Sequence, residues 1–260
     1  MQMKMDGRTA LVTGGSMGLG RAMGAAFAGA GAQVALVARR EEPLKQAADE
    51  IASSTGAKVI AVAGDVSTAD GCQAIVDAVT SALGRVDVLV NNAGSSARGN
   101  FVDITDEQWQ ADLDLKLFAA IRLMRLVFPG MCERKFGRII NVLNTGAKAP
   151  PATGAPTAVS RAAGMALTKV LANEGAPHNV LVNGLLVGKI RSDQWVRRHA
   201  AEDKGESLEE YYARVGQEMP MGRYGTEEEF AAAACFLASD AGSYINGVAL
   251  NVDGGLCPVV

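Results

Sequence analysis

The chain has 260 residues, of which 48% are hydrophobic and 20% are charged, and its formal net charge is -3 at pH 7. This length and apolar content suit one α/β domain with a full core better than two small domains. The slightly acidic balance gives no electrostatic reason to expect nucleic acid or an anionic membrane as a partner. Residues 1–7 are too short and polar for a signal peptide, and no apolar run reaches the length of about 18 residues that a membrane span needs.

The cysteines and histidines give no sign of a metal site. The four cysteines are far apart in sequence and form no CxxC pair; they are Cys72, Cys132, Cys235 and Cys257. With only two histidines as well, this pattern favours a reducing compartment over a disulfide framework or a metal centre. We therefore expect a cytoplasmic protein.

Seven short apolar runs rich in β-forming residues alternate with helical patterns along the chain. The runs cover residues 9–13, 33–38, 58–63, 86–90, 138–143, 180–186 and 248–252. Nearly continuous apolar runs are typical of strands that are covered on both faces, as in a parallel sheet. Helix starts are indicated by Thr105 followed by Gln108 and by Thr226 followed by Glu229. Strands in alternation with about six helices predict one doubly wound α/β domain of the Rossmann type, with a seven-stranded parallel sheet, over residues 1–260.

A glycine-rich loop follows the first predicted strand and leads into the first helix. Gly14, Gly18 and Gly20 allow a tight turn and a close approach of the backbone to a pyrophosphate. The phosphates would lie on free amides at the start of the helix. The loop and helix start predicted to bind a dinucleotide also include Ser16, Met17 and Leu19.

The end of the second predicted strand indicates which dinucleotide is preferred. An Asp or Glu at this place would bind the ribose hydroxyls of NAD(H). The chain has Ala38, Arg39 and Arg40 instead. Arginine can pair with a 2′-phosphate, so Arg39 and Arg40 predict a preference for NADP(H) over NAD(H). The alternative is that both arginines are ordinary solvated charges at the start of a helix.

The predicted helix around residues 113–128 is apolar on most of its circumference. The sheet can cover only one side of such a helix, and a partner subunit is the simplest cover for the other side. This pattern predicts a homo-oligomer with closed symmetry.

Further motifs resemble one known family. Asp65 and Val66 follow the third predicted strand, and Asn92, Ala93 and Gly94 follow the fourth. With the glycine loop and the closing segment 251–255, they make the chain similar to the short-chain dehydrogenase/reductase family from about residue 7 to residue 255. The resemblance implies cofactor contacts by these five residues, with the aspartate at the adenine, and a dimer or tetramer. It also implies that a turn containing Gly188, Ile190 and Ser192 binds the nicotinamide, and Arg161 is predicted to contact the cofactor as well.

The family's catalytic pattern is absent. Its members use a Tyr with a Lys four residues later, a Ser on the preceding strand and an Asn in a long helix. The corresponding residues here are Thr157, Arg161, Asn144 and Lys116. The flanking residues match without a gap, and none of the four tyrosines is followed by a Lys four residues later. Threonine is a much weaker acid than a phenol, and arginine stays protonated, so neither can replace the tyrosine directly.

Three hypotheses follow. The first is an NADP(H)-binding oxidoreductase that acts on a carbonyl or hydroxyl compound through a non-standard active site formed by Lys116, Asn144, Thr157 and Arg161. The second is a catalytically silent homologue that serves as a cofactor sensor or partner subunit. The third is a lyase that uses Lys116 as a nucleophilic amine. The alternative for Lys116 itself is a structural ion pair with Asp112 or Asp114.

The substrate is expected to be a small molecule, and an anionic one if both Lys116 and Arg161 face the cleft. The segment 190–221 is the predicted substrate lid, because it follows the nicotinamide-binding turn and carries several aromatic residues. No metal is expected.

Overall fold

The computed structural model describes residues 3–202 and 205–260, apart from the side chains at positions 193, 194 and 197. Seven strands form one parallel sheet in the order β3-β2-β1-β4-β5-β6-β7. The strands are β1 (Thr9–Thr13), β2 (Gln33–Ala38), β3 (Val59–Ala63), β4 (Val88–Asn91), β5 (Gly137–Asn144), β6 (Val180–Val187) and β7 (Ala249–Val252). The predicted fold class, a doubly wound α/β domain with a seven-stranded parallel sheet, is therefore confirmed.

Nine α-helices lie in the described residues, where the sequence predicts about six. They are α1 (Gly18–Gly29), α2 (Glu41–Thr55), α3 (Ala69–Leu83), α4 (Asp106–Leu113), α5 (Ala119–Glu133), α6 (Thr157–Gly175), α7 (Asp193–Glu202), α8 (Leu208–Gly216) and α9 (Glu227–Ala238). The number differs for two reasons. A π-helical turn over Asp114–Phe118 separates α4 from α5, and the predicted lid contains α7 and α8.

Helices cover the sheet on both faces. Phe27, Leu44 and Phe230 belong to the core between the sheet and helices α1, α2 and α9. Ile75 and Leu123 belong to the core on the other face, under α3, α5 and α6. The central strands are buried along their length, whereas the edge strands β3 and β7 are partly exposed. Burial on both faces is the reason that the inner strands have nearly continuous apolar sequences.

The order of the strands reverses at β1, which pairs with β2 on one side and β4 on the other. Ligands of open α/β sheets bind in the crevice at the carboxyl ends of the strands at such a point. The Thr13 hydroxyl donates to the Val90 carbonyl at 3.1 Å and accepts from the Asn92 amide at 2.9 Å. These bonds fix the ends of β1 and β4 on either side of the crevice.

The apolar helix is buried on one side only. Leu123, Met124 and Val127 of α5 pack into the core, whereas Phe118 is 39% exposed. Phe118, the last residue of the π-helical turn before α5, is an exposed apolar side chain that a partner subunit would cover, and the homo-oligomer stays a prediction. None of the helices in residues 3–202 and 205–260 is long and apolar enough to cross a membrane.

The capping boxes predicted at Thr105 and Thr226 are both present. At the start of α9 the Glu229 carboxylate accepts from the Thr226 amide at 2.8 Å and from both terminal nitrogens of Arg223. The pKa of Glu229 is lowered to about 2, mainly by the hydrogen bonds from Arg223 and next by the bond from the Thr226 amide.

A carboxyl whose pKa falls on folding stabilises the folded state above its ordinary pKa, near 4.5, and loses that effect as the pH falls to about 2. We therefore expect Glu229→Gln to lower the free energy of unfolding at pH 7, and the difference from wild type to shrink between pH 5 and pH 2. Urea unfolding over this pH range measures it. Glu228→Gln, at the neighbouring exposed residue, is the control, and an equal pH dependence in both variants would contradict the prediction.

Candidate active site

A groove of about 950 Å³ lies at the carboxyl ends of β1, β2 and β4, and we refer to it as the cofactor groove. Most of the residues predicted to bind the dinucleotide lie along its walls. They are Gly14, Ser16, Met17, Gly18, Leu19, Gly20, Arg39, Arg40, Asp65, Val66, Asn92, Ala93, Gly94 and Ser192. The sequence prediction thus names residues that share one surface.

The glycine loop has no room for side chains. A Cβ on Gly20 would lie 2.1 Å from the Gly14 carbonyl oxygen, and a Cβ on Gly14 would lie 2.8 Å from the Asn92 side chain. Gly14 and Gly18 also have φ angles of +67° and +58°, which glycine adopts without strain. The N-cap residue Met17 forms no side-chain hydrogen bond to α1, and the first turn contains no acidic residue. The free amides of α1 can therefore donate hydrogen bonds to the phosphates of a dinucleotide.

The far end of the groove is basic. Arg39 and Arg40 are both exposed and line it, and Arg40 lies 3.9 Å from the sulfur of Met17. The Asp65 carboxylate accepts from the Ser67 amide at 2.9 Å, and this bond is the main cause of its lowered pKa; the charge of Arg39 contributes. The two guanidinium groups suit a 2′-phosphate, which two carboxylates would repel.

A second cavity of about 530 Å³ adjoins the groove. Asn92, Gly94 and Ser192 line both spaces, so the two are continuous. The remaining predicted residues of the nicotinamide turn, Gly188 and Ile190, also line the second cavity.

Three of the four predicted catalytic residues, Asn144, Thr157 and Arg161, line the second cavity. Lys116 does not lie among its wall residues. Its side chain is 1% exposed and forms an ion pair with Asp112, whose side chain is equally buried. Burial is the main cause of the lowered pKa of the Lys116 amine; the hydrogen bond to Asp112 opposes this shift and the Arg161 charge adds to it. Of the two acids considered as partners from the sequence, the structure pairs Lys116 with Asp112, while Asp114 pairs with Arg122.

The Thr157 hydroxyl is fully engaged by neighbouring groups. It accepts from the Lys116 amine at 2.7 Å and from the Ala97 amide at 2.9 Å, and it donates to the Ala97 carbonyl at 2.7 Å. Asp112 also accepts from the Ser160 hydroxyl at 2.6 Å. Thr157 therefore joins the start of α6 to the loop after β4 and to the buried ion pair.

Asn144 and Arg161 each have a side-chain polar group at the wall of the cavity. The Oδ1 atom of Asn144 is buried and has no hydrogen-bond partner among the described residues. Arg161 donates to the Val142 carbonyl at 2.7 Å, and its other terminal nitrogen would lie 2.5 Å from a Cβ on Gly94. Burial lowers the pKa of Arg161 to about 10, against the opposing charge of Asp112, so the guanidinium is protonated at neutral pH.

The sequence analysis missed three basic residues of the second cavity: Arg98, Lys189 and Arg198. Arg98 belongs to no motif, although its place shortly after β4 puts it at the ligand-binding edge of the sheet. Trp195 and Arg198 of the predicted lid 190–221 also line the cavity; residues 203 and 204 of that lid lie outside the described residues. In the chain as far as it is described, no group of three or more His, Cys, Asp or Glu side chains could hold a metal ion.

Comparisons with known proteins identify the family of the chain. A family model described as Enoyl-(Acyl carrier protein) reductase matches residues 14–257. The 3-oxoacyl-(acyl-carrier-protein) reductase of Vibrio cholerae is 34% identical over 254 residues, which cover 98% of this chain and 99% of the relative. The crystal structure of L-sorbose reductase from Gluconobacter frateurii, in complex with NADPH and L-sorbose, is 36% identical, has a TM-score of 0.95 and covers 100% of both chains.

The structure of a short-chain type dehydrogenase/reductase from Mycobacterium marinum is 31% identical, with a TM-score of 0.86 and coverage of 99% of this chain and 98% of that one. The chain therefore belongs to the short-chain dehydrogenase/reductase family, as its motifs indicate. It is an NAD(P)-dependent oxidoreductase of this family's type.

The hydrogen bonds of Thr157 lead to a prediction about the free energy of unfolding. Thr157→Val keeps the shape of the side chain but leaves the Ala97 amide and the Lys116 amine without this acceptor. We expect a loss of roughly 1–3 kcal/mol in the free energy of unfolding, because unsatisfied buried donors lose their hydration without compensation. Thr157→Ser retains the hydroxyl and should lose less. Urea unfolding of both variants checks this, and equal losses would show that the hydroxyl is not the stabilising group.

Proposed function

We propose that the chain is an NADP(H)-dependent oxidoreductase that interconverts a small carbonyl compound and its alcohol through a non-standard active site. The observation that carries the proposal is the continuity of the cofactor groove with a cavity whose wall places Asn144 and Arg161 beside Gly94 and Ser192. A nicotinamide held by the turn at 188–192 would lie at this junction.

The residues of the groove fit NADP(H). The amides at the start of α1 would bind the pyrophosphate, Asp65 would lie at the adenine, and Arg39 and Arg40 would bind the 2′-phosphate. The Ser192 hydroxyl would bind the carboxamide. When bound, the reduced cofactor supplies the hydride.

Asn144 and Arg161 would act on the substrate oxygen. Hydride delivery to a carbonyl carbon leaves negative charge on the oxygen. A hydrogen bond from the side-chain NH2 of Asn144 and the positive charge of Arg161, which its bond to the Val142 carbonyl holds in place, would stabilise that charge. The alkoxide would then take its proton from solvent. General acid catalysis by a tyrosine contributes about 10²–10⁴-fold in such reactions, so we expect slower turnover than in relatives that have one.

Lys116 would position the site and not touch the substrate. Its amine is already bonded to Asp112 and Thr157, and the cavity walls do not include it. This geometry gives less support to the lyase hypothesis, which requires an amine that a substrate can reach.

The relatives support a carbonyl substrate and the phosphorylated cofactor. L-sorbose reductase is described in complex with NADPH and L-sorbose, and the relative from Vibrio cholerae is a 3-oxoacyl reductase. The exposed Phe118 at the start of α5 supports assembly into a dimer or tetramer. The wide spacing of the four cysteines supports a cytoplasmic location.

Arg39→Ala tests the choice of cofactor. Loss of a charge-assisted contact to the 2′-phosphate should weaken NADPH binding by about 10- to 100-fold and change NADH binding much less. Titration of nicotinamide fluorescence measures both affinities. Lys45→Ala removes an exposed positive charge from α2, outside the groove, and serves as the control. A similar loss for NADPH and NADH would contradict the proposed role of Arg39.

Oxidation of NADPH across a panel of ketones, ketoses and 3-oxoacyl thioesters tests the reaction itself. We expect measurable activity, and we expect Arg161→Met to lower kcat by about 10²–10³-fold, the usual effect of removing one group that stabilises an oxyanion. Arg161→Lys keeps the charge and should lose less. Tight NADPH binding without turnover of any carbonyl would instead favour the silent homologue, as a cofactor sensor or partner subunit.

A further inference from the structure

The second cavity is surrounded by positive charge. Four of its wall residues carry a cation: Arg98, Arg161, Lys189 and Arg198. Of the side chains that the structure describes, none in the cavity wall carries a carboxylate. This contrasts with the whole chain, whose formal net charge is -3. The positive potential is therefore local to the cavity, and such a site attracts anions.

Three of the four cations already have partners. Arg161 donates to the Val142 carbonyl and lies near Asp112. The ends of Lys189 and Arg198 lie 3.9 Å and 3.4 Å from carboxylates of Glu218 and Glu202. These contacts reduce the charge that each offers to a ligand.

Arg98 differs from the other three. Its side chain is exposed at the cavity and forms no ion pair with any side chain in the described part of the chain. Its backbone is nevertheless held in place. Arg98 forms an antiparallel bridge with Pro156, and the preceding residue, Ala97, is bound through its amide and carbonyl to the Thr157 hydroxyl. A guanidinium group is thus available on an anchored piece of backbone, at the side of the cavity where Thr157 lies.

We infer that the substrate is a small carbonyl or hydroxyl compound that carries an anionic group, a carboxylate or a phosphate, and that Arg98 binds this group. The inference rests on the proposed function, because Asn144 and Arg161 are assigned there to the reacting oxygen. A planar guanidinium can bind either anion through two parallel hydrogen bonds. A volume of about 530 Å³ is within the range for small-molecule sites. Arg98 is then a specificity-determining residue and takes no part in hydride transfer.

Matched ketoses test this inference. L-sorbose is neutral, 5-keto-D-gluconate carries a carboxylate, and L-sorbose 1-phosphate carries a phosphate. Calorimetry with the oxidised NADP complex measures binding without turnover, since a ketone cannot accept a hydride from the oxidised cofactor. We expect at least one anionic ketose to bind about 10-fold or more tightly than L-sorbose, with a preference that falls at high ionic strength. The anionic ketose that binds more tightly shows whether the site prefers a carboxylate or a phosphate.

Arg98→Gln should remove this preference. We expect a rise of about 10- to 100-fold in Kd and KM for the anionic ketose, a much smaller change in kcat, and a smaller effect on L-sorbose. Arg98→Lys should restore part of the affinity. Lys45→Gln, at an exposed residue of α2 away from the cavity wall, is the control for lost charge. Equal binding of neutral and anionic ketoses, or equal effects of Arg98→Gln and Lys45→Gln, would overturn the inference.

The two proposals fail in different ways. Arg98-dependent binding of an anionic ketose without any NADPH oxidation would support the anion site and contradict the proposed reaction. NADPH-dependent reduction of neutral ketoses, with no preference for the anionic ones, would support the reaction and contradict the anion site.

Discussion

The hydrogen bonds around a buried ion pair between Lys116 and Asp112 link the segments that form the second cavity. Burying both charges is unfavourable unless their remaining polar atoms are satisfied. Here Asp112 also accepts from Ser160, and Lys116 donates to Thr157. The network therefore joins α4 and the π-helical turn to α6, and Thr157 extends it to Ala97 in the loop after β4. Removing one charge would leave the other buried without its partner.

This network engages the polar groups of Thr157 and Lys116, two of the four residues that the sequence predicts to be catalytic. In the proposed reaction, the groups that would act on the substrate oxygen are the side-chain NH2 of Asn144 and the guanidinium of Arg161. Both donate hydrogen bonds, and neither is a strong acid at neutral pH. The proposed site would therefore stabilise an oxyanion more than it would supply a proton. The same threonine anchors the backbone that carries Arg98, so the buried network and the charge of the cavity depend on each other.

The fold and the cofactor groove are predictable because their signals are local in sequence. Apolar runs of strand length identify the strands, and glycine spacing after β1 identifies the phosphate loop. The boundaries of the strands agree within about two residues, although β4 begins at Val88 and not at residue 86. The helix count was less predictable. A π-helical turn at Asp114–Phe118 has no clear signature in the apolar pattern, because one extra residue in a turn changes the helical period only slightly.

The sequence by itself determined the strands, the family and most of the residues that line the cofactor groove, since the motifs that identify them each span only a few positions. It also offered Asp112 and Asp114, two acids within four residues, as possible partners of Lys116. Only the tertiary structure decided between them. It also placed Thr157 against Ala97, 60 residues away, and brought Arg98, Lys189 and Arg198 to one cavity. These contacts depend on how separate elements pack, and the spacing of residues along the chain does not show which elements pack together.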